Sequence, residues 1–256
     1  MHIDLAGKVA LVTGVSRQQG IGAAIAKELA RAGATIFTTY FRPYDQEIGL
    51  SKGAHEADAI LDELRELGVK AASLEANLAD AATPARVFAA AMAQCGRVDI
   101  LINNATRDTP ANIDTVDATT LDQHLAINVR GLLLLCQQFT QHFGSQSGGR
   151  IINMTSGQGI TPMPESLPYV ASKGAIEALT LSLAPPLMRR GITINAVDPG
   201  ATDSGWIDEA LHAQLVAQSP SGRVGQPADA ARLICFLASD EASWITGQII
   251  RSRGGM

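Results

Sequence analysis

The stretch T-G-V-S-R-Q-Q-G-I-G, residues 13–22, closes an apolar run at Val9–Thr13 and opens into a helical pattern over Gly22–Ala32. A strand, a glycine-rich turn and a helix in that order gather free backbone N–H groups and the positive end of a helix dipole at one point, as a phosphate requires. Gly14 permits the sharp turn, Gly20 lets backbone approach a pyrophosphate, and Gly22 lets the helix pack on the strand. This is the pattern of a dinucleotide-binding βα unit. It predicts that further strands alternate with crossover helices along the rest of the chain.

They do. Strand-length apolar runs recur at Thr35–Tyr40, Ala71–Glu75, Ile100–Asn103, Arg150–Met154, Thr193–Val197 and Gln248–Ile250, giving seven with the first. Most are continuous rather than alternating, as when helices cover both faces of a parallel sheet. Helical patterns fill the intervals at Ala54–Leu67, Pro84–Cys95, Thr119–Phe143, Tyr169–Met188 and Pro227–Leu237, several closed by a glycine such as Gly33, Gly68 or Gly191. The expected architecture is α/β: a doubly wound, seven-stranded parallel sheet in three layers, forming one domain over residues 1–256. Pro185-Pro186 removes two amide donors inside the helix expected at Tyr169–Met188, which predicts a kink or early end there. Loop-like stretches at Phe41–Lys52, Gly157–Pro168 and Ala201–Arg223 are candidates for the rims of a site.

Composition narrows the class. With 46% hydrophobic and 18% charged residues, the chain can bury a large core and is too apolar to be disordered. A formal charge of −5 with scattered lysines and arginines leaves no footprint for nucleic acid. Cys95, Cys136 and Cys235 are odd in number and far apart, which fits a reducing compartment. The N-terminus reaches its first strand by Val9 with Asp4 before it, and Leu132–Leu135 is the longest leucine run, so neither a signal peptide nor a membrane span is expected and the location reads as cytoplasmic. His55-Glu56 begins like a zinc-protease helix, but Ala59 stands where the second ligand belongs; His2, His124, His142 and His212 form no ligand spacing, and no metal is predicted.

The end of the second strand bears on the choice of dinucleotide. An acidic side chain there would bind the ribose hydroxyls and repel a 2′-phosphate. The sequence is T-T-Y-F-R, residues 38–42, with no carboxylate; Arg42 follows it and Arg17 lies in the turn, both able to face a phosphate. NADP(H) is therefore favoured over NAD(H). The competing reading has Arg42 solvated in a loop and Asp45 folded back onto the ribose.

Chemistry is concentrated in Y-V-A-S-K, residues 169–173. A spacing of four puts Tyr169 and Lys173 on one helical face. A phenol titrating near 10 exchanges protons poorly at neutral pH, and a nearby ammonium favours its phenolate. N-M-T-S-G, residues 153–157, places Ser156 at the carboxyl end of the fifth strand, where ligands bind in open α/β sheets and where its hydroxyl can hold a substrate oxygen.

Together these motifs resemble the short-chain dehydrogenase/reductase family from Lys8 to Gly255, close to its 3-oxoacyl-carrier-protein-reductase-like members. The resemblance implies a Rossmann fold, a dihedral homotetramer, and hydride transfer between nicotinamide and a ketone or secondary alcohol, with a 3-oxoacyl thioester among the candidate substrates. It makes Tyr169 the proton-transfer residue and adds Asn128, in I-N-V, as the holder of a water linking Lys173 to solvent. It further implies that Gly14, Ser16, Arg17, Gly20, Ile21, Gly22, Arg42, Asn77, Leu78, Asn104, Ala105, Pro199, Gly200 and Thr202 bind the cofactor together with Tyr169 and Lys173. The chain departs from the family in three places: five residues rather than three separate Gly14 from Gly20, Asn77 replaces the usual Asp, and Thr106 stands where glycine is usual. Substrate contacts are expected from 157–168 and 201–220, with Trp206, Ile207, Leu211 and Leu215 as apolar lining. Two other readings stay open: a nucleotide-binding regulatory or scaffold protein that has lost turnover, and a Tyr-Lys epimerase or dehydratase, whose chains are usually longer.

Overall fold

The computed structural model describes residues 3–50, 53, 55–143 and 147–255; Ala54, Lys52 and His2, which figure in the sequence reading, lie outside the described residues. The seven strands are β1 (Val9–Val12), β2 (Thr35–Tyr40), β3 (Ala71–Glu75), β4 (Ile100–Asn103), β5 (Gly149–Met154), β6 (Ile192–Asp198) and β7 (Ile249–Arg251). They form one parallel sheet in the order β3-β2-β1-β4-β5-β6-β7. Strands β1, β4, β5 and β6 are buried along their whole length, whereas the edge strands β3 and β7 are mostly half-buried. That gradient explains why the central runs read as continuously apolar.

Successive residues of one strand serve opposite faces. Ala10 and Val12 join Ile25, Leu29, Ile60, Leu64 and Ile234 beneath α1 (Ile21–Arg31), α3 (Glu56–Glu66) and α9 (Pro227–Ala238). Leu11 joins Phe37, Phe88, Leu135, Phe139 and Ile176 beneath α4 (Thr83–Cys95), α6 (Leu132–Phe143) and α7 (Leu167–Met188). Phe37, Phe88 and Phe139 are fully buried, and truncating any one to alanine is expected to cost about 3–5 kcal/mol. The strand order reverses between β1 and β4, so a crevice opens at their carboxyl ends.

Four elements differ from the sequence reading. Residues expected in a loop form α2 (Arg42–Glu47), whose proline at position 43 presets the first turn, and α8 (Glu209–Gln218), which is capped by the Asp208 carboxylate and buries none of its residues. The long helix expected at Thr119–Phe143 is present, but as α5 (Ala118–His124) running through a π-helical segment, Leu125–Gly131, into α6. The kink or early end expected from Pro185-Pro186 is corrected in part: α7 continues to Met188. The carbonyls that lose their donors, those of Leu181 and Ser182, belong to exposed residues that water can reach.

Candidate active site

One cleft of about 1100 Å³ runs along the carboxyl edge of the sheet, from the turn after β1 to the segment after β7. At its phosphate end Gly14 adopts φ +74, a left-handed conformation, and a Cβ on Gly22 would stand 2.5 Å from the Gly14 carbonyl oxygen. Both glycines are thus required by the turn itself. Helix α1 starts with no side-chain cap and no acidic residue in its first turn. Its N-terminal donors therefore point into the cleft walled by Gly14, Ser16, Gly20, Ile21 and Gly22, an arrangement that fits the diphosphate of a dinucleotide. Asn104 fastens the turn from the side: its amide donates to the Thr13 and Gly14 carbonyls at 2.9 and 3.0 Å. Asn77, Leu78, Asn104 and Ala105 line the same cleft, as do Pro199, Gly200 and Thr202 across from them.

The two residues that lengthen the turn face outward. Gln18 bonds to Glu56 and Glu63 of α3, and Gln19 reaches Asp203 at 3.3 Å. Arg17 donates from Nη1 to the Ser204 carbonyl at 2.7 Å, tying the turn to the loop beyond β6.

At the ribose end the expectation for Arg42 is corrected. Its guanidinium is paired with Glu75 at the end of β3, through Nε at 3.2 Å and Nη2 at 2.5 Å, and it does not line the cleft. Arg17 and Asp45 line it instead, with Arg17 Nε 3.1 Å from the Asp45 carboxylate. Burial raises the Asp45 pKa above the usual carboxylate range, opposed by a hydrogen bond from Ser16 and by Arg17. Asp45 could not be placed from sequence because α2, which turns it inward, read as a loop.

At the other end Tyr169 and Lys173 descend from the first turns of α7 beside Ser156, just past β5. Lys173 is 2% exposed; its Nζ lies 5.2 Å from the centroid of the Tyr169 ring and donates to the Met154 carbonyl at 2.8 Å. Burial pulls its pKa down to about 8, partly offset by Asp108. The phenol behaves differently from the sequence expectation: burial pushes it above its ordinary range, and the hydrogen bond with Ser156 pulls in the other direction. In this state desolvation outweighs that hydrogen bond.

Asn128 sits in the π-helical segment, a distortion that often marks functional sites. Its side chain accepts from the Arg107 N–H at 2.8 Å and donates to the Arg107 carbonyl and the Ser172 hydroxyl, each at 2.9 Å. It thus fixes the segment after β4 against α7. That segment, with Thr106, Arg107, Asp108 and Pro110, walls the middle of the cleft, and of these four only Thr106 was singled out from sequence. Trp206 and Leu211 also line the cleft, while Ile207 and Leu215 do not.

A glycine-turn phosphate site and a Ser-Tyr-Lys group at opposite ends of one sheet edge define a nicotinamide-dependent dehydrogenase/reductase, and the chain belongs to the short-chain dehydrogenase/reductase family. A family model described as enoyl-(acyl carrier protein) reductase matches residues 14–256. The chain is 44% identical to the uncharacterized oxidoreductase YjdA of Bacillus subtilis, over 97% of this chain and 96% of that protein. It is 37% identical to the 3-oxoacyl-[acyl-carrier-protein] reductase FabG of Staphylococcus aureus, over 97% of this chain and 98% of that one. Among solved structures, a blue fluorescent protein from a metagenomic library in complex with NADPH superposes with a TM-score of 0.87 at 34% identity, covering 98% of each chain. Among the described residues no helix is long and apolar enough to cross a membrane.

Proposed function

We propose that this oxidoreductase is an NADP(H)-dependent reductase of ketones, running in reverse as a secondary-alcohol dehydrogenase. The observation that carries the reading is the joint placement of Ser156, Tyr169 and Lys173 at the nicotinamide end of a cleft whose other end is the uncapped start of α1. Gly14, Ser16, Gly20, Ile21 and Gly22 would hold the diphosphate, and Pro199, Gly200 and Thr202 the nicotinamide. Bound there, the cofactor supplies the hydride that adds to the carbonyl carbon.

The protein's own groups supply the rest. Ser156 donates its hydroxyl proton in a hydrogen bond to the carbonyl oxygen, and Tyr169 transfers the phenolic proton to that oxygen as it gains charge. A phenol held above its ordinary range keeps that proton at neutral pH. Lys173, charged below about pH 8, offers a positive charge 5.2 Å from the ring centre of the phenolate left behind. Arg17 is the cation for a 2′-phosphate, which would displace the Asp45 carboxylate from it. Likeness to an NADPH-bound structure supports the same choice.

The test follows NADPH absorbance across a ketone panel for the wild type and Tyr169→Phe. Turnover should fall by about 10²–10⁴-fold in the variant while NADPH still binds. Equal rates in both proteins would overturn the reading.

A further inference from the structure

Beyond β7 the chain turns back over the cleft. Arg251 pairs with Asp198 of β6, and the Ser252 N–H donates to the Asp198 carbonyl at 2.8 Å. Arg253 therefore crosses the carboxyl edge of the sheet and enters the cleft wall beside Ser156, Gly157 and Gly200. A Cβ on Gly200 would stand 3.0 Å from Arg253 Cγ, and one on Gly157 2.5 Å from Nη1. The two glycines form a seat: the stem of the arginine lies over one and its guanidinium over the other. That guanidinium is consequently one residue away from Ser156.

Its charge faces the Asp198 carboxylate, but among the described residues two of its donors have no hydrogen bond. Nε and Nη1 of Arg253 are buried and make no hydrogen bond, and neither does Oδ2 of Asp198, which faces Nη1 at 3.6 Å. The other Asp198 oxygen accepts from the Gly200 N–H at 2.9 Å. A guanidinium–carboxylate pair made for stability closes to about 2.7–2.9 Å. The Arg223–Asp229 pair of this chain does so at 2.6 Å. Arg253 is held open, with its stem clamped, inside the space a substrate must occupy.

We infer that Arg253 sets substrate specificity by binding a carboxylate, so that the substrate is an oxo acid, or the corresponding hydroxy acid, whose carboxylate lies within a few carbons of the reacting carbonyl. The inference rests on the reductase reading and names its substrate class. The seat at Gly157, adjoining Ser156, fixes the short separation between carboxylate and carbonyl. Met163, Trp206 and Leu211, on the cleft wall, would take the apolar remainder. An ester, thioester or simple ketone leaves the free donors of the guanidinium without a charge-assisted hydrogen bond, and a site built around a polar group discriminates strongly against ligands that fail to satisfy it.

The experiment compares kcat/KM for short 2-oxo and 3-oxo acids with their methyl esters, using wild type, Arg253→Met and Arg253→Lys. The wild type should favour the acids at least about tenfold, as expected of one charge-assisted bond. The preference should collapse in Arg253→Met through KM and return in part in Arg253→Lys. Preference for the esters, or the same preference in Arg253→Met, overturns the inference. Binding is measured separately by titrating butyrate against butyramide, read through Trp206 fluorescence, with thermal melting of each variant as the folding control. Butyrate binding that requires Arg253, in a protein that reduces no ketone, would sink the reductase reading and keep the carboxylate site. Equal response to butyrate and butyramide would sink the site itself.

Discussion

The two edges of the sheet treat their polar groups in opposite ways. At the amino edge the buried Asp99 carboxylate accepts from the Val9 N–H at 2.9 Å and from Arg97 Nε at 2.9 Å, and the buried Arg150 donates to the Ser239 and Gly149 carbonyls and pairs with Asp240. At the carboxyl edge Lys173 is buried at the expense of its charge, and Arg253 and Asp198 stand apart. Among the described residues, every buried side-chain polar atom without a partner belongs to segments at or beyond the ends of β4, β5, β6 and β7. One edge spends its polar groups on holding strands together. The other keeps them available for a ligand, at a cost in stability.

Substitutions at the two edges should therefore move stability with opposite signs. Lys173→Met is expected to remove about 10²–10⁴-fold of reductase turnover and yet raise the melting temperature, because it deletes a desolvated ammonium. The pH dependence follows from its depressed pKa: wild-type reductase activity should decline as pH rises through about 8, where the ammonium loses its proton. Across the same window native stability should gain, since the unfolded chain then holds a proton that the native state lacks. Asp99→Ala, at the other edge, should leave the Val9 N–H unpaired and cost about 1–3 kcal/mol in a denaturant titration, with kcat/KM kept in the folded fraction. A stabilising Asp99→Ala or a destabilising Lys173→Met would erase the distinction.

A smaller contrast is drawn at the ribose end, where two arginines differ only in how they are engaged. Arg17→Ala should weaken NADPH binding by about tenfold or more relative to NADH, whereas Arg42→Ala, whose guanidinium is taken by Glu75, should change the ratio little. Comparable losses in both variants would show that the pairing with Glu75 is given up on binding.

The smallest effect concerns the wall between the ends. Buried His124 shares a proton between Nδ1 and the Thr120 carbonyl, leaving Nε2 to accept from the Thr109 N–H at 3.0 Å. Burial holds its pKa below the ordinary histidine range. As pH falls through about 6.5 the unfolded chain takes up a proton that the native state refuses, so stability is lost on that side. Melting temperature against pH should show the decline for the wild type and a flatter profile for His124→Gln.

The same contrast explains what could be read from the sequence. All seven strands and the Ser156, Tyr169 and Lys173 positions were legible because burial and helical spacing leave such residues one placement each. Charged side chains on short connections have several partners within reach. Nothing in T-T-Y-F-R distinguishes an Arg42 facing a phosphate from one facing Glu75, which is remote in sequence and adjacent only once β2 pairs with β3. Proline at position 43 was a helix-start signal that could have exposed α2, and with it the inward turn of Asp45. Arg253 gave no signal, since its meaning depends on Gly157 and Gly200 arriving beneath it from other strands.

The lengthened phosphate turn ties the two ends of the cleft together. Arg17 and Gln19 fasten it to Ser204 and Asp203, on the loop that presents Trp206 to the substrate end and leads into α8 with Leu211. That brace joins the phosphate end of the cleft to its substrate end through two hydrogen bonds. A substitution at Arg17 is therefore expected to loosen the wall at Trp206 as well as the turn itself.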